Sequence, residues 1–110
     1  MKTENCCETF HFQMQLLLNI EELQRYPFTK MVIEKNLTEH EYVETMKLLE
    51  SLHETYIEEQ EEGFVHHEPL LLHYAGMLCY KLSIEESIEA IYHEGMYPDL
   101  MKTLRKYVHN

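Results

Sequence analysis

Leu37-Thr38-Glu39-His40-Glu41-Tyr42-Val43 is the stretch whose reading decides the fold. The Thr38 hydroxyl can accept from the backbone N–H three residues on, while the Glu41 carboxylate reaches back to the N–H of Thr38. Two of the unpaired donors at a helix start are thereby satisfied. Leu37 and Tyr42 stand where a hydrophobic staple sits. Beyond them Tyr42, Met46, Leu49, His53 and Tyr56 recur at helical spacing, with Val43, Leu52 and Ile57 alongside. The spacing predicts a helix to about Glu62, stopped by Gly63 in the left-handed cap position.

Working outward toward the N-terminus, residues from about Cys6 to Gln24 read as helix. Cys7, Phe10, Met14, Leu17 and Leu18 share one face, and Phe12, Leu16, Ile20 and Leu23 widen it. A stripe this broad suggests a helix contacted on more than one side. Tyr26-Pro27 breaks the pattern and opens a short helix that turns Phe28, Met31 and Val32 inward, with Asn36 as its cap.

On the other side of the long helix, Phe64 to His67 reads as a loop. Pro69 starts a helix whose face carries Leu71, Tyr74, Ala75, Leu78 and Leu82. Ser83 with Glu86 forms a second capping box, and Ile84, Ile88 and Ile91 line the helix it opens, which Gly95 ends. The match between the two box-capped starts needs only shared capping chemistry, not an internal duplication. Tyr97-Pro98 begins a last helix that buries Leu100, Met101, Leu104 and Val108. Lys102, Arg105 and Lys106 crowd its final turns, where cations suit the helix dipole. No strand-like alternation of useful length occurs. The expectation is one all-α domain over residues 1–110, a compact multihelical bundle of about six helices with one long central helix.

Composition fits: 110 residues, 45% hydrophobic and 26% charged, are ordinary for one globular domain. Twenty acidic against nine basic residues give a formal net charge of −11. That charge opposes binding to a nucleic-acid backbone or an anionic membrane, and leaves a basic protein partner or a cation open. A helix-turn-helix regulator drawn through the last two helices would have only Lys102, Arg105 and Lys106 as its basic surface. Cys6, Cys7 and Cys79 are odd in number and form no C-x-x-C pair, which favours reduced thiols in a cytosol. Met1 to Glu8 lacks the apolar segment of a signal peptide, and no aliphatic run is long enough to span a bilayer.

Arg25-Tyr26-Pro27-Phe28, Ile33-Glu34-Lys35-Asn36-Leu37 and Glu62-Gly63-Phe64-Val65 fall in an order shared with Ala75-Gly76-Met77-Leu78, Lys81-Leu82 and Gly95-Met96-Tyr97. From about Leu16 to Leu104 this cadence resembles the YhaI-like family of small uncharacterised proteins from spore-forming Gram-positive bacteria. The resemblance implies a multihelical cytosolic domain, and it implies no activity.

Eight histidines raise the question of a metal. Glu8-x-x-His11 and Glu50-x-x-His53 have the spacing that puts a carboxylate and an imidazole on one helix face, as in di-iron bundles. Such a site needs further glutamates on apolar stripes, and none stands out. His66-His67-Glu68 with His73 is a second candidate, short of the fixed ligands and supporting bonds of a built site. His53-Glu54 opens like a zincin motif, but Ile57 occupies the position of its second histidine. Cys79 reads as a small buried hydrophobe, and Cys6-Cys7 lie near a helix start where the dipole can activate a thiol. No phosphate loop, nucleophile elbow or catalytic triad is present, and no cofactor is implied.

These readings lead to a non-catalytic interaction or regulatory module that self-associates, most simply as a homodimer, through its wide apolar helix faces. The alternative is a metal-binding helical protein or enzyme with Glu50, His53, His66 and His67 as ligands. One charged constellation suggests a docking surface. Glu58, Glu59, Glu61 and Glu62 crowd a helix C-terminus that disfavours negative charge. Lys102, Arg105 and Lys106, in the same chain or a second subunit, are the cations they would meet.

Overall fold

The computed structural model describes residues 3–109, with side chains from Cys7 onward. Six α-helices follow in order: α1 (Thr3–Leu18), α2 (Pro27–Glu34), α3 (Glu39–Glu61), α4 (Glu68–Met77), α5 (Ile84–Glu94) and α6 (Pro98–Val108). A 3₁₀ turn, Glu21–Arg25, joins α1 to α2. No strand occurs among the described residues, so the chain is all-α with one long helix, as the periodicity predicts.

The capping box that opens α3 forms in full. Glu41 N donates to Thr38 Oγ1 at 3.1 Å, and Thr38 N donates to Glu41 Oε1 at 2.9 Å. Lys81, forty residues on, then donates its ammonium to Glu41 Oε1 at 2.7 Å and to the Asn36 carbonyl at 3.0 Å. The Lys81 bond, helped by the Thr38 N–H, holds the Glu41 carboxyl below the usual carboxylate range. Gly63 and Gly95 take the left-handed conformation after α3 and α5, and Asn36 does so after α2, each at a position where the sequence places a stop.

Two boundaries and one cap differ from the sequence reading. The first helix does not run to Gln24. It ends at Leu18, where Asn19 N and Ile20 N bond back to Leu16 and Leu17 in tightened turns, and Asn19 Nδ2 competes for the Gln15 carbonyl. The fourth helix stops at Met77 rather than reaching Leu82. Leu78 turns extended there (ψ 141°), which frees Ser83 to cap α5. At that second cap only half of the box is made: Glu86 N donates to Ser83 Oγ at 3.2 Å, without the return bond from Ser83 N.

α5 packs between α6 and α2, and α4 packs on α3 and α6. Leu49, Leu52, Tyr74, Ile91, Leu100, Met101 and Leu104 are fully buried where these helices meet. Each such aliphatic side chain stabilises the fold by about 1.5–3 kcal/mol relative to exposure. The one fully buried phenol has its partner. Ser87 Oγ gives its proton to the Ile84 carbonyl at 3.1 Å, so Tyr74 donates to Ser87 Oγ at 2.6 Å. Burial pushes the Tyr74 phenol up to about 12, against a smaller opposing effect of Ser87.

α1 stands outside this bundle. The molecule measures 61 × 26 × 22 Å with a radius of gyration of 16.6 Å. A compact chain of this length has a radius of about 13 Å, and α1, which packs only weakly on the other helices, accounts for the excess.

Candidate interaction surface

The surface that asks for a partner is the α1 arm. Of its large apolar side chains only Leu18 is buried. Phe10 is 62% exposed, Phe12 59%, Leu16 55% and Leu17 48%, with Ile20 at 48% just beyond the helix. At 100° per residue, Phe12 and Leu16 fall on the side opposite Leu18, whereas Cys7, Phe10, Met14 and Leu17 flank it. A helix with apolar side chains on two sides is normally contacted on both, yet this one lies on the outside of the protomer. These side chains together expose on the order of 500 Å², spread over two sides of the helix.

Shape and charge mark the same place. A groove of about 740 Å³ separates the arm from the end of α2, between Phe10 and Met14 on one side and Val32, Ile33 and Leu37 on the other. A second groove, of about 360 Å³, continues it beneath Leu17 and Ile20 toward Leu23 and Tyr26. No Asp, Glu, Lys or Arg occurs from Thr9 to Ile20, although the chain carries a net charge of −11. A rival stretch, Pro69 to Tyr80, is equally free of charge and exposes Leu72, Met77 and Tyr80. It differs in having already buried Leu70 and Tyr74 in the core.

The residues singled out from sequence scatter around the bundle. His66 and His67 diverge: His66 is exposed, whereas His67 is buried and holds Glu59 Oε1 through Nδ1 at 2.7 Å. The His67 N–H donates to the Tyr107 hydroxyl at 2.8 Å, and its ring meets Tyr56 edge-on at 5.0 Å. His67 thus ties the end of α3 to the start of α4 and to α6. His53 leans on the Tyr97 ring at 5.1 Å, with Nδ1 buried and unpartnered among the described residues, while Glu50 is exposed. No group of three or more potential metal ligands converges among the described residues. Cys7 is exposed on the arm and Cys79 is half-buried at the core's edge; the Cys6 side chain, like Met1 and Lys2, lies outside the described residues.

The acidic end of α3 and the basic end of α6 each find other neighbours. Arg105 Nε donates to Glu89 Oε2 at 2.7 Å, and its guanidinium lies 4.5 Å from the Tyr92 ring centre. That bond, seconded by His109, holds the Glu89 carboxyl below the usual range. Among the described residues no ion pair joins Glu58, Glu59, Glu61 or Glu62 to Lys102, Arg105 or Lys106. Glu58, Glu61, Glu62, Lys102 and Lys106 are exposed.

Sequence reasoning passed over Glu94. Its carboxylate accepts from Phe28 N at 2.8 Å and from Thr29 N at 2.9 Å, and from the Thr29 hydroxyl at 3.0 Å. A side chain from the last turn of α5 thereby caps α2, whose own N-cap, Tyr26, makes no side-chain bond. No local pattern marks a cap 65 residues away.

Among the described residues no helix is long and apolar enough to cross a membrane. The family model described as "Protein of unknown function (DUF1878)" matches residues 1–109. The chain belongs to this uncharacterised family over essentially its whole length.

Proposed function

We propose that this chain is a non-catalytic interaction module that works by self-association, most simply as a homodimer. The single observation that carries this reading is the α1 arm, which exposes large apolar side chains on two sides and is held outside the bundle. Charge says where a second copy can approach. Two bodies of charge −11 repel one another, and the repulsion is least where charge-free surface meets charge-free surface. The same acidic shell turns away nucleic acid and anionic membranes. The ordered motifs from Arg25 to Tyr97 support the narrower placement with YhaI-like proteins of the cytosol. Glu58, Glu61 and Glu62 on one subunit and Lys102 and Lys106 on another are a secondary, salt-sensitive contact open to such an assembly.

Sedimentation velocity on the untagged chain, from nanomolar to high micromolar concentration, tests the reading. The expected result is reversible conversion from a 13.3 kDa species to one of twice that mass or a higher multiple. A strict monomer throughout contradicts it.

A further inference from the structure

We infer that the α1 arm of one copy seats in the groove between α1 and α2 of a second copy, each protomer filling the other's groove. This rests on the self-association proposed above and assigns it a surface and an occupant. Four features of the arm and its groove support it. The groove of about 740 Å³ sets Phe10 and Met14 of the arm against Ile33 and Leu37, and among the described residues Glu34 is the one charged side chain that lines it. The arm has two apolar stripes rather than one. Phe10 and Met14 would meet the partner's arm, and Phe12 and Leu16 the partner's α2, which gives each stripe a contact. Finally, reciprocal burial of about 500 Å² on each protomer reaches the roughly 1,000 Å² that a specific interface needs. The charge-free run from Thr9 to Ile20 brings no carboxylate of its own toward Glu34 in the groove it would fill.

The surface around Leu72 does less. α4 spends its opposite side on the core, and its exposed apolar residues are interleaved with the exposed His73 and Gly76. The two grooves described above both adjoin the arm, not α4.

Phe12 and Leu16 are solvent-exposed in the protomer, and the arm adds none of its side chains to the buried core cluster. A double variant, Phe12→Glu with Leu16→Glu, therefore leaves the bundle folded, which unchanged tyrosine near-ultraviolet circular dichroism checks. Sedimentation is then compared for the native chain, this variant and Leu72→Glu. The expected result is an association weakened at least about 100-fold in the arm variant, since each substitution acts twice in a symmetric contact, and unchanged in Leu72→Glu. A native chain that associates together with an arm variant that associates equally well overturns the placement and leaves the self-association reading standing. Loss of association in Leu72→Glu instead also overturns it. A native chain that stays monomeric overturns both. A second readout uses the absence of tryptophan from the sequence. In Phe12→Trp the emission shifts to the blue as concentration rises if the arm is buried by a second copy; emission that stays at the solvent-exposed wavelength while the chain associates overturns the placement.

Discussion

Glu94 shows how one side chain can fix a helix it does not belong to. Its two oxygens satisfy two backbone donors and a hydroxyl at the start of α2. Glu94→Ala leaves those donors without a protein partner and is expected to cost about 1–2 kcal/mol, as loss of a charged cap does. Urea unfolding measures it, and a loss below about 0.5 kcal/mol would count against the cap. Glu41 and Glu89 link residue to pH. Both carboxyls are depressed by a cationic partner, Lys81 and Arg105 respectively. A depressed acid contributes stability that is present above its unfolded value, near 4.5, and is lost as pH falls through the folded value. Thermal midpoints should therefore drop on the acid side, and Glu89→Gln should make that drop shallower; an acid limb identical to the native one contradicts the Arg105 bond. Tyr74 works in the opposite sense. With its phenol raised from about 10 to about 12, its contribution is full below the unfolded value and is lost as pH rises through the folded one. In an alkaline absorbance titration one of the eight tyrosines should ionise last, and that step should vanish in Tyr74→Phe.

At the scale of elements, the end of α3 shows that neighbouring like charges are not equivalent. Glu58 and Glu62 are exposed against an unfavourable dipole, whereas Glu59 is half-buried and holds the buried His67. Replacing Glu58 and Glu62 by Gln should raise stability by a few tenths of a kcal/mol at low salt. Glu59→Gln should lower it by about 1 kcal/mol, because the buried imidazole exchanges a carboxylate hydrogen-bond partner for a weaker amide one. Equal effects at the three positions would show that His67 does not use Glu59. The contrast also marks what a sequence can reveal. The α3 box, the glycine stops and the Pro27 and Pro98 helix starts are local, within four residues of the groups they satisfy, and were legible. The break at Asn19 was not, because the apolar pattern continues through Ile20 to Leu23 while the backbone tightens beneath it. The Glu94 cap and the Lys81–Glu41 bond join residues 66 and 40 apart, beyond any periodicity argument. The breadth of the apolar stripe on the first helix was visible, but where it pointed was not. Only the fold shows that the stripe wraps an arm outside the bundle.

The whole molecule joins an acidic, well-packed bundle to an arm that is free of charge from Thr9 onward and exposes large apolar side chains. Net charge and arm together set what it can bind: the bundle repels polyanions, so random duplex DNA should show no binding at physiological salt. Submicromolar affinity there would mean that Lys102, Arg105 and Lys106 dominate the surface potential. If the arm is the contact between copies, its backbone should be the part of the chain that responds to concentration. Hydrogen exchange by residue, run at nanomolar and at high micromolar concentration, reads this directly. Exchange from Phe10 to Leu18 should slow strongly on concentrating the chain, while the amides of α3, α5 and α6 keep their rates. An arm that exchanges equally fast at both concentrations would contradict its burial by a second copy.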